Sequence, residues 1–237
     1  MSCDVFILAA GLGTRLRPLT LTVPKPLVEV NGKPLIAYHL ERLAKEGFTR
    51  VMINLHYLPD KIKDFVGDGD KWGIKASFSF EPDLLDTGGG IKNVEKWYHA
   101  EQILVLNSDS LFDSSLSLKE LLNTHLATKA EMTLLVGEES QAFTPLWVSE
   151  NSKLVGFIDP PLDPTGAHRV SYLGAMVISR SLLKSMPAKG TPFSITAGVI
   201  PKLLAGAKTI STLGYRGYWN DIGTPERLNE ASKYFVK

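Results

Sequence analysis

The run Val5-Phe6-Ile7-Leu8-Ala9-Ala10, and the segment it opens into, constrain this chain more than any other feature. That segment reads Gly11-Leu12-Gly13-Thr14-Arg15-Leu16-Arg17-Pro18-Leu19-Thr20. An apolar run without polar alternation describes a strand covered on both faces, and such strands belong to parallel sheets with helices above and below. The glycines that follow expose backbone N–H groups at the strand's end, a concavity suited to phosphate. Arg15, Arg17 and Lys25 bring positive charge within reach of a polyphosphate. Taken alone, the segment also fits a plain tight turn with solvated charges. It is neither of two familiar phosphate loops. Leu16 stands where G-x-G-x-x-G needs glycine, and G-x-x-x-x-G-K-[ST] is absent, so neither a nicotinamide enzyme nor a P-loop ATPase is supported.

The rest of the first half repeats the strand-then-helix pattern. Helical spacing over Pro34–Glu46, Pro59–Val66, Gly88–Trp97 and Leu118–Leu126 alternates with strand-like runs at 51–55, 76–80, 103–106 and 132–136. This order predicts βαβ units and a mainly parallel sheet. The second half changes character. Strands are expected at 146–148, 154–158, 172–178 and 209–213, with helices at 195–205 and 225–235, the last capped by Thr224 with Pro225 at its first position. Asp159–Gly166 is proline-rich and forbids regular structure. The fold class expected is α/β, a Rossmann-like three-layer sandwich with a mixed, mainly parallel sheet. One domain is expected over 1–237, with a substrate-side elaboration after about residue 140.

Charge and cysteine content narrow the partners. Twenty-six Lys and Arg against 25 Asp and Glu leave a formal charge of +1, so a broad nucleic-acid surface is not expected. A single cysteine, Cys3, suits a reducing compartment. The short N-terminal apolar run lacks the basic stretch of a signal peptide, and no segment reaches the about 18–20 apolar residues of a membrane helix. A cytoplasmic protein, monomeric or homodimeric and without a membrane partner, is the expectation.

The stretch Leu8–Thr20, followed by Pro24-Lys25-Pro26, resembles the nucleotide-binding motif of the sugar-1-phosphate nucleotidyltransferases. The resemblance implies a GT-A-like nucleotidyltransferase fold. It implies transfer of a nucleoside monophosphate from an NTP to a sugar 1-phosphate, with release of pyrophosphate. Residues 1–140 would then bind nucleotide, and 141–237 would bind the sugar and supply a second metal ligand. Ala10, Gly11, Gly13 and Thr14 would wrap the triphosphate. Arg15 and Lys25 would be the catalytic cations, Lys25 meeting the α-phosphate or the incoming sugar phosphate. The length would leave no room for the C-terminal β-helix or acyltransferase domain that longer relatives append.

Two aspartates complete this reading. Asp109 follows the run Ile103-Leu104-Val105-Leu106-Asn107-Ser108, at the carboxyl end of a buried strand, where open α/β sheets place ligands. By itself it equally suits a turn cap. The segment resembles the family's Gly-Asp metal motif, with Ser108 in place of the glycine. Tyr218-Trp219-Asn220-Asp221-Ile222-Gly223-Thr224-Pro225 resembles its Trp-x-Asp-x-Gly-Thr-Pro element, and N-capping is the alternative role for Asp221. Together they imply one Mg²⁺ held by Asp109 and Asp221. Asp113 reads as a turn residue, and the five histidines show no zinc spacing.

Glu81, Asp86 and Gly88 fall where the family contacts base and ribose. Glycines there let a flat base lie against backbone, and a carboxylate accepts from uracil N3–H or from guanine N1–H and N2–H; the alternative for Glu81 is a solvated strand-end charge. The run Asp86-Thr87-Gly88-Gly89-Gly90 looks most like the uridylyltransferase of N-acetylmuramate 1-phosphate, with mannose- and heptose-1-phosphate guanylyltransferases close behind. Asn107, Gly174, Lys202 and Trp219 are the sugar-side candidates, Gly174 as a position that would admit a hexose. Lys202 is considered because Pro160 stands where many relatives carry a sugar-phosphate lysine. Rival readings are a phosphocholine cytidylyltransferase and an inactive regulatory homologue that binds nucleotide sugar.

Overall fold

The computed structural model describes residues 2–235. In chain order the elements are β1 (Cys3–Leu8), β2 (Glu29–Val30), β3 (Lys33–Pro34), α1 (Leu35–Lys45), β4 (Arg50–Leu55), α2 (Pro59–Val66), β5 (Lys75–Phe80), α3 (Asp86–Asn93), β6 (Gln102–Asn107) and β7 (Ser110–Phe112). They continue as α4 (Leu118–Thr128), β8 (Met132–Glu138), β9 (Pro145–Ser149), β10 (Leu154–Phe157), β11 (Ala167–Ser179), α5 (Ile195–Ala205), β12 (Ile210–Gly214), β13 (Trp219–Asp221) and α6 (Pro225–Tyr234).

Nine strands form one mixed sheet. β6, β1, β4 and β5 run parallel in that spatial order, so their carboxyl ends share one edge. β11 is antiparallel to β6 and β8, and β12 adds parallel to β8. The apolar runs are buried on both faces. Val5 and Ile7 join a core with α1, α2 and α4 residues such as Leu40, Ile62 and Leu121, whereas Phe6 faces the other way onto α3 and α5 through Ile91 and Ile200. β6 divides likewise, Leu104 and Leu106 to one core, Ile103 and Val105 to the other. Strand side chains alternate faces, so a sheet between two helical layers makes every position apolar. This is the three-layer sandwich expected from the sequence.

A third cluster joins Leu16 and Val28, both after the glycine loop, to Leu111 of β7, Ile222 and Ala231 of α6. It ties the loop after β1 to the C-terminal helix and closes the molecule around the sheet's carboxyl edge.

Two buried histidines make stability depend on pH. His125 of α4 meets Thr133 Oγ1 through Nδ1 at 2.9 Å and Ser179 Oγ through Nε2 at 3.3 Å. His39 of α1 reaches the backbone of Ser108 and Ser110. Burial lowers both imidazoles to about 4, aided at His39 by the charge of Arg42. Below the unfolded value near 6.5 the unfolded chain takes up protons that the fold refuses, so stability falls as the pH drops toward 4. Each histidine should cost about 2 kcal/mol between about pH 7 and pH 5. Urea unfolding across that interval measures this, and equal stability throughout would contradict it.

Candidate active site

The site assembles at the shared carboxyl edge. Three strand ends are latched there by one relay: the Ala9 N–H donates to Asn54 Oδ1 at 2.7 Å, Asn54 Nδ2 to Glu81 Oε1 at 2.8 Å, and the Leu85 N–H to Glu81 Oε2 at 3.1 Å. Glu81 is thus buried and engaged, not the solvated charge considered as its alternative. It still lines a cleft of about 480 Å³ with Ala10, Gly11, Asn54, Leu84, Asp86, Thr87, Asn107 and Asp109. Each oxygen keeps lone pairs beyond its one internal bond.

The glycine loop lies beside this cleft. Gly13 has φ +64, and its carbonyl accepts from Thr20 Oγ1 at 2.7 Å. A 3₁₀ turn over Thr14–Leu16 sinks Leu16 into the third core cluster. The N–H groups of Gly11, Leu12 and Gly13 find no acceptor among the described residues, and such exposed donors are chemically suited to an anion. Gly11, Gly13, Thr14, Arg15, Lys25, Asp109 and Gly223 all line the same recess.

The two aspartates meet through a small sheet. β13 pairs antiparallel with β7, setting Asp221 opposite Ser110, and the Ile222 N–H donates to the Asp109 carbonyl at 2.9 Å. Lys25 forms an ion pair with Asp109 Oδ2 and stands 3.9 Å from Asp221 Oδ1. Asp221 Oδ2 accepts from Arg227 Nη1 at 3.0 Å. Its Oδ1 is buried without a hydrogen-bond partner. Burial, and then the charge of Asp109, push the Asp221 carboxyl above its ordinary range, against the pull of Lys25, Arg227 and Arg15. A buried, unpartnered carboxylate oxygen facing a second carboxylate is what a divalent cation would satisfy. Among the described residues no third His, Cys, Asp or Glu joins them. A hard cation that completes its shell with phosphate oxygens and water suits that set.

Gly223 makes room for a neighbour, since a Cβ there would stand 2.8 Å from Arg15 Nη2. The glycine of the second motif thereby admits the arginine of the first. His39 supports the Asp109 segment from beneath through the backbone on either side of that residue.

Some expected site residues have other duties. Gly88 is not room for a base. It is buried, its N–H donates to the Phe193 carbonyl at 2.9 Å, and a Cβ there would overlap the Phe193 ring. Gly90 is required by the relay itself, since a Cβ would stand 2.7 Å from Glu81 Oε1. Gly174 is not an opening for a hexose. It sits at a bulge in β11 with φ +85, packed so closely on Ser110 that a Cβ would overlap its hydroxyl. Lys202 does not reach the site. It lines a separate cleft with Glu131, Ser181 and Lys208, where β8 and β12 begin, at the end of the sheet opposite Asp109. Arg17 is exposed and does not line the recess. Trp219 packs its ring 5.1 Å from Phe143, and its Nε1 is buried without a partner. Asp113 is a turn residue as expected, accepting from the Ser115 and Tyr218 N–H groups and from Tyr215 and Tyr234.

Sequence reasoning misses Asn54, His39 and Arg227. Only Arg227 carries a signal, its place in the first turn of the helix that follows the Asp221 motif.

The fold and this edge define an α/β domain that gathers a glycine loop, two cationic side chains and two carboxylates at the carboxyl ends of its parallel strands. The chain belongs to the nucleotidyl transferase family, whose model matches residues 5–237. It is 34% identical to a mannose-1-phosphate guanylyltransferase of Mycobacterium tuberculosis over 99% of this chain and 65% of that protein. It is also 34% identical to an N-acetylmuramate alpha-1-phosphate uridylyltransferase of Neisseria meningitidis, over 95% of both. The chain thus spans just under two thirds of the mycobacterial relative's length. Among solved structures, HddC from Yersinia pseudotuberculosis complexed with GMP-PN superposes with a TM-score of 0.80 at 28% identity, covering both chains fully.

Proposed function

We propose that this chain transfers a nucleoside monophosphate from an NTP to a sugar 1-phosphate, yielding an NDP-sugar and pyrophosphate with Mg²⁺ as cofactor. The observation that carries the reading is the meeting of the glycine loop, Arg15, Lys25 and Asp109 in one recess, with the unpartnered Asp221 oxygen 3.9 Å from Lys25. The loop N–H groups and Arg15 hold the β- and γ-phosphates. Lys25 neutralises charge on the α-phosphate as an oxygen of the acceptor phosphate attacks phosphorus and pyrophosphate departs on the opposite side. Such reactions ask the protein mainly for alignment and charge neutralisation. Mg²⁺ held by Asp109 and Asp221 would supply further positive charge to the phosphate oxygens.

UTP with N-acetylmuramate 1-phosphate is the substrate pair proposed first, supported by a uridylyltransferase relative matched over 95% of both lengths. GTP with mannose or heptose 1-phosphate is the second reading, favoured by the guanylyltransferase relative and by the GMP-PN complex of a structural neighbour. Pyrophosphate release from each NTP with each sugar 1-phosphate and with phosphocholine tests the proposal. Turnover with a sugar 1-phosphate is expected. Turnover with phosphocholine and CTP alone would replace it with the cytidylyltransferase reading. Tight nucleotide-sugar binding without any turnover would replace it with a regulatory one.

A further inference from the structure

Arg227 is the cation at this edge that the nucleotide recess does not use. It stands in the first turn of α6, with Nη1 on Asp221 Oδ2 at 3.0 Å. Its guanidinium lies 4.7 Å from the centroid of the Phe143 ring, and Phe143 in turn packs on Trp219. The loop that carries Phe143 is pinned to β11, the Ser140 N–H donating to Ser171 Oγ at 2.9 Å. The arginine is therefore held from two sides and cannot swing freely. Its Nε and Nη2 find no acceptor among the described residues, and its side chain is 23% exposed.

A guanidinium held in place with part of its donor fork unfilled is a seat for a planar or tetrahedral oxyanion. Asp221 cannot neutralise it fully, because the same carboxylate is shared with Lys25 and with the proposed cation site. The seat lies outside the recess of the glycine loop, on the side of Phe143, Trp219 and β11. An in-line transfer needs the incoming phosphate on the far side of the α-phosphorus from the leaving pyrophosphate. Two anions must then be held by two cation groups with Asp221 between them.

We propose that Arg227 binds the phosphate of the sugar 1-phosphate, supplying the acceptor-side cation that Lys202 is too distant to provide. The inference rests on the sugar-1-phosphate reading above.

The test is Arg227→Met beside Arg227→Lys, each first checked by thermal unfolding. Steady-state kinetics use the best wild-type pair from the substrate panel. Calorimetry measures N-acetylmuramate 1-phosphate and mannose 1-phosphate binding in the presence of Mg²⁺ and a non-hydrolysable NTP. Arg227→Met should raise the acceptor KM and Kd roughly 10- to 100-fold, as expected for losing a charge-assisted hydrogen-bonding partner, with the NTP KM changed less than about twofold. Arg227→Lys should recover part of the loss. A variant with unchanged acceptor affinity, but weaker Mn²⁺ binding and lower kcat, would show that Arg227 only holds Asp221 and would overturn the proposal. So would failure of both sugar phosphates to bind the wild type. Absence of wild-type turnover with sugar-phosphate binding intact would instead sink the parent reading and leave the Arg227 comparison to calorimetry.

Discussion

Asp109→Asn and Asp221→Asn should each lower Mg²⁺-dependent turnover by about 10³-fold or more while the protein still folds. The expectation follows from what each oxygen does. Among the described residues Asp221 Oδ1 has no hydrogen-bond partner, and Asp109 pairs with Lys25. Asp221 Oδ2 also accepts from Arg227 at 3.0 Å, a bond that the oxygen of an asparagine can still accept, so each carboxylate makes one close ion pair and neither is the main tie between its elements. The small sheet that carries them is closed by backbone bonds, including Ile222 N–H to the Asp109 carbonyl. An amide has nearly the same shape, so packing survives and only the cation seat is lost. A catalytic cation is worth several kcal/mol of transition-state charge, and each 1.36 kcal/mol is about a factor of ten. Asp221→Asn also removes a carboxylate that burial and Asp109 already destabilise, so its melting temperature should not fall appreciably. Full activity in either variant would refute the assignment. A collapse of the fold in both would mean that the aspartates are structural.

Lys25→Ala should cost at least about 10²-fold in turnover, the scale of losing one oriented donor to a developing charge. Its Nζ faces both carboxylates, and its side chain is only 11% exposed, so its position is set before any phosphate arrives. The 3₁₀ turn over Lys25–Leu27, entered through Pro24, with Pro26 as the next residue, fixes the backbone from which it projects. The split between constants decides its role. A fall in kcat together with kcat/KM places Lys25 on the transferring phosphate, whereas a rise in KM alone places it in ground-state binding. Turnover within about threefold of wild type would remove Lys25 from the machinery.

The layered fold is legible in the sequence because its cause is local. Each buried parallel strand must be apolar at every position, and each helix between them must carry one apolar stripe, so the two periods alternate visibly along the first half. The glycine loop and Asp109 are legible for the same reason, since both lie where a buried strand ends. Other parts depend on contacts that no window of sequence contains. The pairing of β7 with β13 joins two three-residue segments that carry no strand pattern, and it alone sets Asp221 beside Asp109. Helix α3 begins at Asp86 and ends at Asn93, shifted from the expected 88–97, because Gly88 and Gly89 donate to the distant Phe193 carbonyl and fix its first turn. β11 runs from Ala167, five residues before the expected start, because β9 offers a partner to polar His168 and Arg169.

The glycines teach the same lesson. Gly88 and Gly174 are expected to leave space for ligands, yet each is small because another part of the protein fills that space. A glycine in a motif reports a close approach without naming what approaches. Gly223 is the instructive case, for its neighbour is the Arg15 guanidinium, and two motifs far apart in the chain become one site.

Asp109 and Asp221 should together hold a single divalent cation against the triphosphate, and on this the proposed chemistry depends. Mn²⁺ titration followed by electron paramagnetic resonance, with a non-hydrolysable NTP present, tests it most directly. The expected result is one tightly bound ion per chain in the wild type, with that site lost in both Asp109→Asn and Asp221→Asn. Wild-type Mn²⁺ affinity in either variant would contradict it.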